Sequence, residues 1–168
     1  IVVLLTGNGK GKSSSAMGMI CRSLAYDIKV GVVRFLKGEQ VTGEDIFLKN
    51  QKEVSIFHMQ SGFTWDTQNK QLDKEKAQET WAEAKKFLSD PEIGLVVLDE
   101  ITYMVNYNYI DEKSIINSIT DRPNNQHVVI TGRSASNNLI EIADTVSEVK
   151  NIKHAFSENI RAQKGIDL

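Results

Sequence analysis

Residues 1–14, IVVLLTGNGKGKSS, decide the fold that this sequence predicts. The apolar run at residues 1–5 predicts a buried strand, and a glycine-rich stretch follows it and leads into a helical pattern. Glycines let backbone N–H groups converge on an anion, and the start of a helix adds the positive end of its dipole. Lys12 supplies a point charge for a phosphate, and Ser13 supplies a hydroxyl for a metal ion. The stretch therefore predicts a phosphate-binding loop with the candidate residues Gly7, Asn8, Gly9, Lys10, Gly11, Lys12, Ser13 and Ser14.

The loop departs at one position from the ordinary nucleotide-binding pattern, G-x-x-x-x-G-K-[ST]. Counting back from Lys12, the first glycine belongs at position 6, where the chain has Thr6, and it comes one residue late at Gly7. The loop is compatible with ATP held for cleavage of its terminal phosphate and with ATP held for another reaction. A dinucleotide-binding fold is disfavoured, because the glycine spacing is not G-x-G-x-x-G and no acidic residue ends the second apolar run.

Composition and length predict one globular domain that spans residues 1–168. The net charge of −2 suggests no polyanion-binding surface, so we expect no nucleic-acid partner. The apolar runs are far shorter than the ~20 residues of a membrane helix, so we expect no membrane span. The single cysteine, Cys21, excludes an internal disulfide and fits a cytoplasmic location; its helical position predicts an inert core residue. The start at Ile1 rather than Met suggests that a short N-terminal segment is missing.

Short β-rich runs alternate with helical patterns along the chain. Helices are predicted at residues 13–26, at residues 73–88, and after Asp111 up to Arg122 and Pro123. This alternation predicts an α/β fold of the P-loop NTPase (RecA-like) kind, a mostly parallel central sheet with helices on both faces. Ligands of such sheets bind at the carboxyl ends of the strands. Strands are predicted at residues 1–5, 30–36, 53–59, 95–98, 127–131 and 143–148.

Two carboxylates, Asp99 and Glu100, end the apolar run LVVL. Carboxylates at such a strand end hold Mg²⁺ or polarise its water ligands, and the phosphate loop favours that interpretation over a solvated acidic turn. Spacing alone leaves open which of the two would contact the metal.

Two further strand-end segments have open interpretations. The segment GFTWD at residues 62–66 is compatible with core packing and with an apolar wall against a large flat ligand. Arg133, in the segment TGR, is compatible with a phosphate contact and with a surface position, as are Arg34, Lys37 and Glu44.

Taken in order, these segments resemble the P-loop corrinoid adenosyltransferases along nearly the whole chain. The resemblance is carried by the combination of GNGKGK, GFTW, LDE-x-x-Y and TGR, together with KHAF and AQKGIDL near the end. Members of that family hold ATP reversed relative to ordinary P-loop ATPases. The reduced cobalt of the corrinoid attacks the ribose 5′ carbon, and triphosphate leaves whole. The resemblance thus implies that the late glycine serves adenosyl transfer, not phosphate transfer.

The resemblance also implies roles for individual residues. Lys12, the loop N–H groups, and Mg²⁺ (or Mn²⁺) held near Ser13 and Glu100 would stabilise the leaving triphosphate. Phe63 and Trp65 would press on the corrin, exclude the axial ligand and ease reduction of Co(II) to Co(I). The implied corrinoid is cob(I)alamin or cob(I)yrinic acid a,c-diamide, the implied reductant is a flavoprotein, and the implied assembly is a homodimer.

The sequence departs from the family pattern in places. Ser13 and Ser14 stand where two threonines are usual, which keeps the hydroxyl, and Gln60-Ser61-Gly62 replaces a common Gly-x-Gly. One alternative is a RecA-like ATPase in which Glu100 activates water for hydrolysis of the γ-phosphate. Another is a corrinoid or nucleotide carrier without catalytic activity.

Overall fold

A computed structural model describes residues 1–36, 41–60 and 69–167 of the chain. All the strand pairs in its six-stranded sheet are parallel. The α/β fold with a parallel central sheet is therefore confirmed. The strands are β1 (Val2–Thr6), β2 (Val30–Arg34), β3 (Val54–His58), β4 (Leu95–Asp99), β5 (His127–Thr131) and β6 (Thr145–Glu148), in the spatial order β3-β2-β4-β5-β1-β6.

Helices cover both faces of the sheet. Successive side chains of a strand point to opposite sides, so each strand contributes apolar side chains to both packed faces. In β4, Val96 and Leu98 pack in one buried cluster, and Leu95 and Val97 pack in another. This arrangement confirms the predicted two-sided burial. The helices are α1 (Lys12–Leu24), α2 (Gly43–Leu48), α3 (Lys70–Ser89), α4 (Ile101–Asn106), α5 (Glu112–Thr120) and α6 (Asn137–Glu141), followed by a 3₁₀ turn at Ala155–Glu158.

Helix α1 buries one stripe, which contains Ala16 and Ile20, against the sheet. Cys21 follows Ile20 by one residue, a turn of about 100° around the helix axis, and it is exposed to solvent. The prediction of Cys21 as a core residue was therefore wrong. None of the described helices is long and apolar enough to cross a membrane.

The predicted helix starts and stops differ from the observed ones by a few residues. Helix α3 begins three residues earlier than predicted, since the Asn69 side chain accepts a hydrogen bond from the Leu72 N–H and caps it. Asp111 caps α5 as predicted, accepting from the Ser114 N–H. Three of the strand-end loops, those after β1, β4 and β5, carry the predicted phosphate and metal residues to one edge of the sheet.

Candidate active site

The glycine-rich loop connects β1 to α1 and lies against the chain that follows β6. The Gly9 N–H donates to the Val149 carbonyl at 2.7 Å. A Cβ at Gly9 would stand 2.6 Å from the Lys150 carbonyl oxygen, so only glycine fits this close approach. Backbone packing against the β6 side therefore fixes the loop.

Lys12 is the buried cation of the loop, with only 5% of its surface exposed. Its Nζ donates to the Gly9 carbonyl at 2.9 Å. Burial lowers the pKa of Lys12; the Glu100 and Asp99 carboxylates oppose that shift, and Arg133 adds to it. The ammonium group thus lies among the other charged groups that were predicted for the site.

Asp99 and Ser13 are joined at the end of β4. The Ser13 hydroxyl donates to Asp99 Oδ1 at 2.9 Å, and the Thr131 hydroxyl, at the end of neighbouring β5, donates to the same oxygen at 2.7 Å. The other carboxylate oxygen of Asp99 lies 4.0 Å from Arg34 Nε. Asp99 therefore orients the Ser13 hydroxyl and leaves the lone pairs of that hydroxyl for a ligand.

Glu100 differs from its neighbour in its hydrogen bonds. Its backbone has φ 61°, and its N–H donates to the Thr131 hydroxyl at 2.9 Å. Its Oε2 is buried and accepts no hydrogen bond. Burial raises the pKa of Glu100 to about 7; Asp99 adds to the shift, and Lys12 and Arg133 oppose it. A buried carboxylate oxygen without a partner is the kind of group that a cation would complete.

A magnesium ion fits these residues. In the described ranges no group of three or more His, Cys, Asp and Glu side chains could hold a metal by itself. Mg²⁺ usually takes one or two protein oxygens and completes its shell with water and substrate phosphates. The Ser13 hydroxyl and Glu100 Oε2 are such oxygens, so the donor set suits a metal that is shared with a triphosphate.

A cavity of about 340 Å³ at the edge of the sheet is lined by Lys12, Ser13, Asp99 and Glu100. Arg133 reaches it from the loop after β5, where its carbonyl accepts from the Thr102 hydroxyl at 2.8 Å. Gly7 and Asn8 belong to the same loop but do not line the cavity. The predicted residues that do line it are Gly9, Lys10, Gly11, Lys12, Ser13, Ser14, Asp99, Glu100 and Arg133, together with Arg34 and Glu44, for which the sequence left a phosphate contact open.

Comparison with known proteins identifies the family. Residues 1–168 match the family described as ATP:corrinoid adenosyltransferase BtuR/CobO/CobP. The chain belongs to this family. It is 48% identical to a corrinoid adenosyltransferase of Pseudomonas aeruginosa over all of this chain and 83% of that protein. It is 44% identical to a corrinoid adenosyltransferase of Escherichia coli K12 and 42% identical to one of Salmonella typhimurium, each over 99% of this chain and 85% of the relative.

Membership of the ATP:corrinoid adenosyltransferases confirms the resemblance drawn from the sequence motifs, and it does not favour the RecA-like ATPase. The family description implies ATP and a corrinoid as the substrates. Phe63 and Trp65, the predicted corrin wall, lie outside the described residues, as does Lys37.

Sequence reasoning missed several residues that line or support this adenosyltransferase cavity. Thr131 joins Asp99 to the Glu100 backbone, and a polar residue at the end of an apolar strand was the signal for it. Asp167 lines the cavity and pairs with Lys10 Nζ at 2.8 Å, and this hydrogen bond lowers the pKa of Asp167. His154 lines the cavity as well; both residues lie in segments that carried the family resemblance, KHAF and AQKGIDL, but no role was predicted for either.

Proposed function

We propose that this chain transfers the 5′-deoxyadenosyl group of ATP to the Co(I) centre of a reduced corrinoid and releases triphosphate. The observation that carries the proposal is the family match over residues 1–168. Co(I) contributes the electron pair of the new cobalt–carbon bond. The ribose C5′–O bond breaks, and its electron pair leaves on the triphosphate oxygen. Cobalt is itself the nucleophile, so the protein's task is positioning and electrostatic stabilisation.

The triphosphate end of ATP is assigned to the loop that contains Lys12. Negative charge grows on the leaving oxygen as the C–O bond breaks, and preorganised cations and N–H groups stabilise such charge most. The burial of Lys12 and its bond to the Gly9 carbonyl support this role, since they hold the ammonium within the loop. Arg133 brings a second positive charge to the same cavity.

Ser13 and Glu100 are assigned to a magnesium (or manganese) ion, with Asp99 as the group that orients Ser13. The two hydroxyls that donate to Asp99 Oδ1 and the unpartnered Glu100 Oε2 support this division. When bound, the metal supplies positive charge to the phosphate oxygens. The proposal thus takes Glu100 as the direct ligand, a choice that the spacing of the two acids left open.

Phe63 and Trp65 are assigned to the face of the corrin. Their segment follows β3 in the sequence, and β3 ends at the same carboxyl edge of the sheet as β1. Aromatic rings there would exclude the axial ligand of cobalt and leave a four-coordinate Co(II). An axial donor raises the energy of the orbital that accepts the electron, so its loss eases reduction to Co(I).

The family resemblance supports further expectations. We propose one domain over residues 1–168, a homodimer, and cob(I)alamin or cob(I)yrinic acid a,c-diamide as the corrinoid. A flavoprotein would supply the electron for Co(I), and the use of ATP fits a cytoplasmic reaction.

An anaerobic reaction with ATP, Mg²⁺ and chemically reduced cobalamin tests the proposed activity. We expect the spectrum of an alkylcobalt product and one triphosphate for each cobalt alkylated. The analogue with a methylene group between the β- and γ-phosphorus atoms should also support the reaction, because the C5′–O bond is unchanged. A γ-phosphate hydrolase would instead release ADP and phosphate from ATP and would leave the analogue intact, which would contradict adenosyl transfer.

Lys12→Ala tests the assignment of the phosphate loop in the same assay. Loss of one preorganised charge at a developing anion costs roughly 10²–10³-fold in rate, and we expect a loss of that size in kcat/KM for ATP. Lys150→Ala removes an equally positive side chain that is 69% exposed, and it should retain activity. Full activity of Lys12→Ala would contradict the loop assignment.

A further inference from the structure

The chain that follows β6 folds back onto the nucleotide loop. Residues 150–167, the C-terminal strap, leave the sheet beside Gly9, whose N–H donates to the Val149 carbonyl at 2.7 Å. The other end of the strap returns to the same loop, where Asp167 Oδ1 lies 2.8 Å from Lys10 Nζ. The strap is therefore joined to the nucleotide loop at both of its ends.

The strap forms one wall of the nucleotide cavity. Its residues His154, Ile166 and Asp167 line the cavity together with the loop. Ile166 is an apolar side chain among lining groups that are mostly polar or charged. Such a side chain suits the nucleoside part of a nucleotide better than its phosphates. The position of the strap therefore determines the shape of the cavity on the β6 side.

The strap itself is not packed into a core. Within residues 150–167, no side chain is buried, and Ile152, Phe156, Ile160 and Ile166 are between 51% and 89% exposed. Burial of apolar surface, which holds most segments of a fold in place, therefore contributes little here. The position of the strap depends on its polar contacts.

Asp167 is oriented toward the loop by its own turn. Its Oδ2 accepts from the Gln163 N–H at 2.8 Å, and its N–H donates to the Gln163 carbonyl at 2.8 Å, which leaves Oδ1 to Lys10. The Lys10 and Asp167 side chains are 43% and 25% exposed. A pair with this exposure shifts an equilibrium by no more than about fivefold, so the contact can open as well as close.

We propose that Asp167 is a positioning residue that pairs with Lys10 to hold the C-terminal strap closed over the nucleotide cavity. The pair is weak enough to open for entry of ATP and release of triphosphate. The inference rests on the proposed function, since it takes ATP as the occupant of the cavity. ATP then binds the closed form better than the open form, so ATP and the ion pair stabilise closure of the strap by the same factor for each other.

Hydrogen exchange in the nucleotide-free protein measures closure of the strap directly. We expect Asp167→Asn, which keeps the oxygen that accepts from Gln163, to speed exchange of the amides in residues 150–167 about threefold to fivefold. Lys10→Met should have the same effect, and the double variant should add nothing, because both changes remove one contact. About 0.5 M NaCl should speed exchange in the wild type, since salt screens exposed charges, and should leave Asp167→Asn unchanged.

Calorimetry with ATP and Mg²⁺, without a corrinoid, measures the contribution of the ion pair to nucleotide binding. We expect Asp167→Asn to weaken ATP binding about threefold to fivefold, and Asp167→Glu to restore it, because a glutamate can still pair with Lys10. Glu158→Gln is the matched control. It removes a negative charge from the same strap, where Glu158 Oε1 lies 4.0 Å from Lys153 Nζ, and Glu158 does not line the cavity. It should change neither hydrogen exchange nor ATP binding.

Three outcomes would overturn the inference. Unchanged hydrogen exchange in Asp167→Asn would mean that another contact, such as a second copy of the chain, holds the strap. Tighter ATP binding by this variant would mean that Asp167 only repels the phosphates. Equal losses in Asp167→Asn and Glu158→Gln would reduce the effect to net charge. The proposed function fails separately, if the wild type binds ATP and forms no alkylcobalt product.

Discussion

Asp99 and Glu100 are adjacent carboxylates with different surroundings, and the difference is testable in the metal-free protein. Burial raises the pKa of Glu100 from its ordinary value of 4.5 to about 7. The folded protein then binds this proton more tightly than the unfolded chain, so the contribution of Glu100 to stability is greatest below about pH 4.5 and is lost as pH rises to about 7. Ionisation of Glu100 in the folded protein therefore lowers the free energy of unfolding by about 3 kcal/mol.

Glu100→Gln should remove that cost. With EDTA present, we expect the variant to raise Tm by about 5 °C or more at pH 8.5 and to change it little at pH 5. Asp99→Asn is the control: it weakens two charge-assisted hydrogen bonds, from Ser13 and Thr131, and should lower Tm at pH 8.5. An equal change of Tm at both pH values in Glu100→Gln would contradict the burial of a titrating carboxylate.

Among the elements, the packing of the loop after β5 against α4 requires glycine at position 132. Gly132 has φ +144°, and a Cβ there would stand 1.9 Å from Thr102 Oγ1, which donates to the Arg133 carbonyl. We expect Gly132→Ala to lower the free energy of unfolding by more than about 2 kcal/mol and to weaken ATP binding, because Arg133 must move. Urea denaturation and calorimetry measure the two effects.

Gly18→Ala is the matched substitution in a helix. Gly18 lies within α1, and nothing stands within 4 Å of its added Cβ. Alanine is the better helix former, so the free energy of unfolding should rise by about 0.5–1 kcal/mol, with ATP binding unchanged. If both glycine variants lost stability equally, the close contact at Gly132 would not be the cause.

The elements that the sequence predicted are those with a repeating pattern. Strands such as β4 are continuous apolar runs, and α3 repeats its apolar residues over 20 positions. Helices α2, α4 and α6 have five or six residues, too few for a 3.6-residue period to show, and they were missed. Their positions depend on tertiary contacts such as the one between Thr102 and the Arg133 carbonyl.

The residues of the site could likewise be predicted only where they belong to a local sequence pattern. Residues adjacent in sequence, such as those from Lys12 to Ser14, could be predicted, because the loop motif places them together. The pairing of Lys10 with Asp167 spans almost the whole chain, and the contacts around Asp45 join three elements. No local pattern encodes such pairings, which depend on how the strands, helices and loops pack together in the folded chain.

Across the whole molecule, the strand order separates the two proposed halves of the site. Strands β1 and β3 stand four positions apart, which corresponds to about 19 Å at the usual spacing of strands. The proposed binding mode has the phosphate tail of ATP in the loop after β1 and the corrin on the β3 side of the sheet. The phosphate and corrin halves should therefore fail in different assays when they are altered separately.

Phe63→Ala and Trp65→Ala test that separation at the corrin half. If these side chains exclude the axial ligand of cobalt, their loss should reduce turnover from Co(II) and a reductant about tenfold more than turnover from pre-reduced Co(I), since only the first route needs the easier reduction. Trp81→Phe is the control, because Trp81 is buried in α3, donates to the Ser114 hydroxyl at 3.0 Å and does not line the nucleotide cavity. It should change both routes equally. An equal loss through both routes in the Phe63 and Trp65 variants would remove the argument that they act on the axial ligand and would leave them as shape-determining contacts alone.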